Sequence, residues 1–184
     1  MILHAIFSVA LASSPTYEPP PVTVVDEYTT QDGTRTRWAS VSYSLPQGQT
    51  AEVVLVVDDA NHGDGYLYVD GEAIVHSTWD ASTGLTNWIS STPEASELAS
   101  AALVGLAGGP GTELMDAFGG ESQAFKCSAW GKKVLRAGKY IWSGVVAASA
   151  GVCCLSAGAG CPLCLGAGAV AQGIGADALE DYCD

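Results

Sequence analysis

The chain has 184 residues, with 20 acidic and 7 basic side chains and 48% apolar residues. That length suits one or two small domains, and the apolar content excludes wholesale disorder. A formal charge of −13 excludes a nucleic-acid partner, because phosphate binding needs a basic footprint. The charge is unevenly spread. Residues 1–125 hold 16 acids against Arg35 and Arg37 alone, whereas residues 126–184 hold four acids, five bases and all six cysteines.

In chain order, Met1 to Ser14 is an apolar stretch closing on Ala10-Leu11-Ala12. It has the length of a signal-peptide core with a small-residue cleavage site, although His4 stands where a basic start is usual. Residues 1–14 are therefore read as a signal peptide and the product as secreted, with membrane association the other destination. Residues 15–21 form a stiff Pro-rich linker. Residues 22–91 read as an acidic β-rich domain. Strands are expected at Val22–Val25, Arg37–Leu45, Glu52–Val57, Tyr66–Val69 and Glu72–His76, with Asp70-Gly71 as a two-residue hairpin turn. The strand pattern runs to about Trp79, and residues 58–65 are expected as a loop.

Residues 92–126 read as a helical linker. Thr92 can cap a helix that opens on Pro93 and stops at Gly108-Gly109-Pro110, and Thr112–Phe118 gives further turns ended by Gly119-Gly120. Residues 127–184 read as a cysteine-rich helical domain. The fold class is α+β: an N-terminal antiparallel β-rich domain, a short helical linker and a small C-terminal α-helical domain stapled by disulfides.

No motif in the acidic half carries chemistry. Asp58, Asp59, Asn61, Asp64 and Asp70 invite a calcium reading. The spacing of Asp59-Ala60-Asn61-His62-Gly63-Asp64-Gly65 departs from a calcium loop, and no glutamate closes it, so a solvated hairpin loop is the better reading. His62 and His76 lie near no serine in a nucleophile-elbow context and near no cysteine. The spacing supports neither an enzyme nor a cofactor.

Cys127, Cys153, Cys154, Cys161, Cys164 and Cys183 are even in number and confined to one segment of a chain read as exported, which indicates a disulfide framework. Neighbouring Cys153 and Cys154 pair poorly with each other, and a Cys127–Cys183 bridge would tie the segment's ends. The connectivity stays open. Zinc is disfavoured because the residues around the cysteines are uncharged Gly, Ala, Ser and Leu. A thioredoxin-like pair at Cys161 and Cys164 lacks its βαβ setting.

From Tyr140 to Ala176 no side chain is charged. The run is long enough for one membrane-spanning helix, or for two shorter helices meeting near Pro162. Ahead of it, Trp130, Lys132, Lys133, Arg136, Lys139 and Trp142 interleave basic and aromatic side chains as a lipid headgroup layer would favour. These six are the expected membrane-contact residues, and a target cell membrane is the expected partner. The competing reading is a compact helical unit whose basic helix is its wet face.

Glu113 and Leu114 precede Gly119-Gly120 at the spacing of double-glycine leaders, which makes Gly119 and Gly120 the candidate processing residues. Ala117 stands where Met or Ile is usual and the preceding segment is far too long for such a leader, so a chance match is the better reading. A cut anywhere from Gly120 to Cys127 would release a nearly neutral peptide.

With Cys127, Val152-Cys153-Cys154, Gly160-Cys161-Pro162-Leu163-Cys164 and Cys183 in a Gly/Ala background, the last third resembles the cysteine-rich peptide antibiotics of the halocin C-eight type. That group usually carries more cysteines, and often opens on Cys-x-x-Cys where this chain has Cys127-Ser128-Ala129-Trp130. The resemblance implies a bacteriocin-like toxin made inside a larger exported precursor, with residues 22–91 as propeptide or immunity element. The acidic part would then bind the C-terminal part and shield Lys132, Lys133, Arg136 and Lys139 until cleavage. The rival from another class is a cell-surface structural or adhesion protein held by a Gly/Ala-rich membrane hairpin.

Overall fold

The computed structural model describes residues 20–90, 92–120, 122–156 and 161–179. The expected signal peptide and most of the Pro-rich linker lie outside the described residues. Six strands come first: β1 (Val22–Thr29), β2 (Arg35–Ser44), β3 (Thr50–Asp58), β4 (His62–Val69), β5 (Glu72–Asp80) and β6 (Gly84–Ile89). Each pairs antiparallel with the next, so the sheet is a meander in the order 1-2-3-4-5-6. Short turns suffice for such a topology. The Asp70-Gly71 turn has positive φ at both residues, 49° and 81°, the geometry that suits the twist of flanking strands.

Helices α1 (Pro93–Ala107), α2 (Pro110–Gly119), α3 (Gln123–Cys127), α4 (Ala129–Ser156) and α5 (Cys161–Ala178) follow. The α1 start is as the sequence reads: the Ala95 N–H donates to the Thr92 hydroxyl at 3.2 Å, with Pro93 first in the helix. Mixed α+β architecture, with an N-terminal antiparallel sheet and C-terminal helices tied by a disulfide, is therefore what the chain forms.

Alternation along the strands decides where the core sits. Ala51, Val53, Leu55 and Val57 of β3 and Leu67 and Val69 of β4 are buried on one face, under the helices. The residues between them are half-exposed. One continuous core joins this inner face to Leu103, Leu114, Phe118, Ile141 and Trp142 of the helices. Tyr43 crosses the two layers, its buried hydroxyl donating to the Ala102 carbonyl at 2.7 Å, and burial pushes that phenol's pKa up.

Two strand expectations need correction. β4 begins at His62 rather than Tyr66, so the expected loop over 58–65 shrinks to Asp59–Asn61. Gly63 and Gly65 made the segment read as loop, yet both lie in the strand beneath α4, where a side chain has no room. β6 extends the sheet past Trp79. Its entry turn is marked by the Asp80 carboxylate, which accepts the backbone N–H groups of Ser82 and Thr83 at 2.8 and 3.1 Å. As a fully exposed edge strand, β6 lacks the alternation that betrays a half-buried one.

Candidate functional site

The strongest arrangement of sequence-marked residues is the seam where α4 crosses the inner face of the sheet. Glycines set its depth. A Cβ on Gly65 would lie 2.7 Å from Val145 Cγ2, one on Gly63 would lie 3.2 Å from Ile141 Cγ2, and one on Gly144 would lie 2.8 Å from Ser77 Oγ. The strand glycines thus lie under Ile141 and Val145 of α4 and the α4 glycine lies over Ser77 of β5, so helix and sheet approach more closely at these positions than a side chain there would permit.

Polar contacts pin the end of the seam at the α4 N-terminus. The Trp130 indole donates to Glu27 Oε2 at 2.9 Å, and Lys133 Nζ donates to the Asp59 carbonyl at 2.6 Å. Glu27 also pairs with Arg35 and Arg37. Burial alone would raise the Glu27 pKa, but hydrogen bonds from Trp130 and Arg35 and the charges of both arginines bring it below the ordinary carboxylate range. Burial lowers the Arg37 pKa, and Glu27 partly offsets this. The Arg37 guanidinium donates to the Ala117 and Phe118 carbonyls, each at 2.8 Å, closing the C-terminal end of α2.

The six expected membrane-contact residues divide. Trp130 and Trp142 are buried, at 7% and 1% exposure, inside the common core. Trp142 donates its indole N–H to the Ala171 carbonyl of α5 at 2.8 Å. In the folded chain neither indole is available to lipid. Lys132, Arg136 and Lys139 are exposed on α4, the wet face of a compact helical unit, while Lys133 is half-buried at the seam. The sheet thus covers the apolar side of α4, while the Lys132, Arg136 and Lys139 side chains are exposed. Among the described residues no helix is long and apolar enough to cross a membrane. The uncharged run is divided between α4 and α5, as the two-helix alternative has it.

Cys153 of α4 and Cys164 of α5 form a disulfide, and Cys127 and Cys154 are disulfide-bonded as well. Cys164 also lies 3.6 Å from the Ser100 hydroxyl of α1, so the bridge sits where three helices meet. The side chain of Cys161 and the whole of Cys183 lie outside the described residues. Gly119 is buried and Gly120 half-buried, whereas Ser122, Gln123 and Ala124 are exposed.

One cluster escaped the sequence reading. On the outer face, His76 Nε2 lies 2.7 Å from Asp64 Oδ1, the Thr78 hydroxyl donates to the same oxygen at 2.9 Å, and His62 Nδ1 lies 3.5 Å from Asp64 Oδ2. Tyr66 stacks on His76 at 4.2 Å between ring centroids and on Tyr68 at 5.6 Å. The signal was the alternation His62, Asp64, Tyr66, Tyr68, hidden by reading half of it as loop. No group of three potential metal ligands is assembled among the described residues.

Comparison with family models, curated proteins and solved structures gives no match.

Proposed function

We propose that the chain is a secreted, bacteriocin-like antimicrobial precursor, in which the acidic sheet carries the cysteine-bearing helices until they are released to act on target cell membranes. The observation that carries this reading is the glycine-lined seam. The long helix of the C-terminal segment keeps its apolar side against a cradle supplied by the acidic half, so the segment's most lipid-seeking surface is masked while the chain is whole. The hold is chiefly apolar burial, a force that is non-directional and needs no cation shielding.

The disulfide between α4 and α5 supports the same reading. It would let the helical hairpin keep its shape after leaving the sheet, which a small unit with little core of its own requires. Exposed Ser122, Gln123 and Ala124 offer a protease the segment between the two halves. Release would free Trp130 from Glu27 and make it a candidate for lipid contact beside Lys132, Lys133, Arg136 and Lys139, while Trp142 would keep its bond to Ala171 within the released hairpin.

Mass spectrometry of culture medium tests the proposal. A fragment beginning between residues 120 and 127, with its thiols oxidised, is expected. The same fragment should clear lawns of related strains in a spot assay and lose that activity on reduction. Intact chain found only in the membrane fraction would sink the reading.

A further inference from the structure

The outer face of the sheet is the other large surface that the strands build, and the precursor reading leaves it without a role. Strand register places Val24, Ser40, Val54, Tyr66, His76 and Trp88 in one row running across all six strands. The next row runs from Asp26 through Trp38, Val56 and Asp64 to Thr78 and Thr86. Tyr68 lies opposite Glu52 in a third. Trp88 ends its row on the edge strand at 53% exposure. Among the described residues no helix lies over these rows.

The charge on this face has one sign. Asp26, Glu52, Asp58, Asp64 and Asp80 all belong to it. Arg35 and Arg37, the only cations before Lys126, point to the other face, where they pair with Glu27. Aromatic rings interleaved with carboxylates attract cations twice over, through the quadrupole of the ring face and through charge. The charge at Asp64 also helps to keep the Tyr66 phenol protonated, second to burial, so the ring stays an uncharged platform. A second copy of the chain would bring its own charge of −13 and be repelled. A neutral ligand would leave the carboxylates unused.

We infer that the outer face of the sheet is a docking surface for a lysine- and arginine-rich polypeptide segment, laid across the strands with its cations over the aromatic rows and against Glu52 and Asp64. The inference stands apart from the precursor proposal, because it concerns the face that α4 does not touch.

The test uses the full chain and an octalysine peptide, followed by tryptophan fluorescence and calorimetry at low and physiological salt. Binding is expected at low salt and should weaken as salt rises. Trp88→Ala and Glu52→Gln should each weaken it by roughly fivefold. Asp116→Asn removes the same charge from the exposed helical side of the molecule and should leave binding unchanged. Near-UV circular dichroism confirms that each variant is folded, and His76→Gln replaces Trp88→Ala if the edge strand is disturbed. Absence of octalysine binding overturns the inference. So does an equal loss in Asp116→Asn, which would reduce the effect to net charge. A Trp88-dependent complex with a neutral hexasaccharide, or a sedimenting dimer abolished by Trp88→Ala, would overturn it in favour of a sugar or a second copy.

Discussion

The two faces of the sheet are made by the same strands and obey opposite rules. The inner face is dry, closes on α4 through Gly63 and Gly65, and holds the charges of Glu27, Arg35 and Arg37 in a paired group at the rim. The outer face alternates with it, keeps rings and carboxylates half in water, and stacks Tyr66 on Tyr68 and on His76. One face is specified by shape, the other by charge and ring chemistry. Substitutions on the first should therefore change stability, and substitutions on the second should change binding.

Two consecutive residues put the contrast under the greatest strain. Gly65→Leu forces a side chain into the space occupied by Val145 and the Ile141 carbonyl, and is expected to cost about 3 kcal/mol, or roughly 6–12 °C in Tm. Tyr66→Leu, one position on, faces outward and should stay within about 0.5 kcal/mol of the parent. Thermal unfolding of the two variants side by side measures the difference. Equal losses would show that the sheet does not divide its labour by face.

Much of this division was legible in the sequence, and the misses have a physical cause. Alternation in Arg37–Leu45, the apolar run of Glu52–Val57, the Asp70-Gly71 turn and the Thr92-Pro93 start all report local chemistry, and local chemistry decided those elements. The first half of β4 did not read as a strand, because glycine is a poor strand former in isolation and a necessary one beneath a closely packed helix. Only the partner helix supplies the reason, and it lies some eighty residues downstream. Partners distant in sequence also decide where Trp130 and Trp142 sit in the folded chain. Beside lysines they look amphipathic, but their burial comes from Glu27, the sheet and α5. The outer cluster went unnoticed because His62, Asp64, His76 and Thr78 are joined by strand register rather than by any spacing along the chain.

The helical layer on the inner side gives the next largest effect. Replacing Cys153 and Cys164 with alanine removes a crosslink across a short loop, with a sequence separation of 11, and is expected to cost about 2 kcal/mol, at the low end for disulfides because short loops gain least. Urea unfolding checks the value. The Trp142–Ala171 bond and the paired contacts between Ser143 and Gln172 remain to hold α4 to α5, so the variant should still unfold in a single step.

The smallest effect lies at the rim, where Glu27 joins the two halves of the chain. Its folded pKa is depressed, so its contribution to stability is present above the unfolded glutamate value of about 4.3 and fades as pH falls through the folded one. Glu27→Gln removes the titration while keeping an acceptor for Trp130. The parent should be the more stable of the two at pH 7, by less than about 1 kcal/mol because the pair with Arg35 is largely exposed to solvent. The two curves should converge as the carboxylate protonates. Urea midpoints measured from pH 7 down to pH 2 test this, and a gap that widened toward acid would mean that Glu27 carries a buried penalty instead of a paired charge. That outcome would also move the rim to the dry side of the comparison, leaving the outer face as the place where this acidic chain spends its charge on a partner.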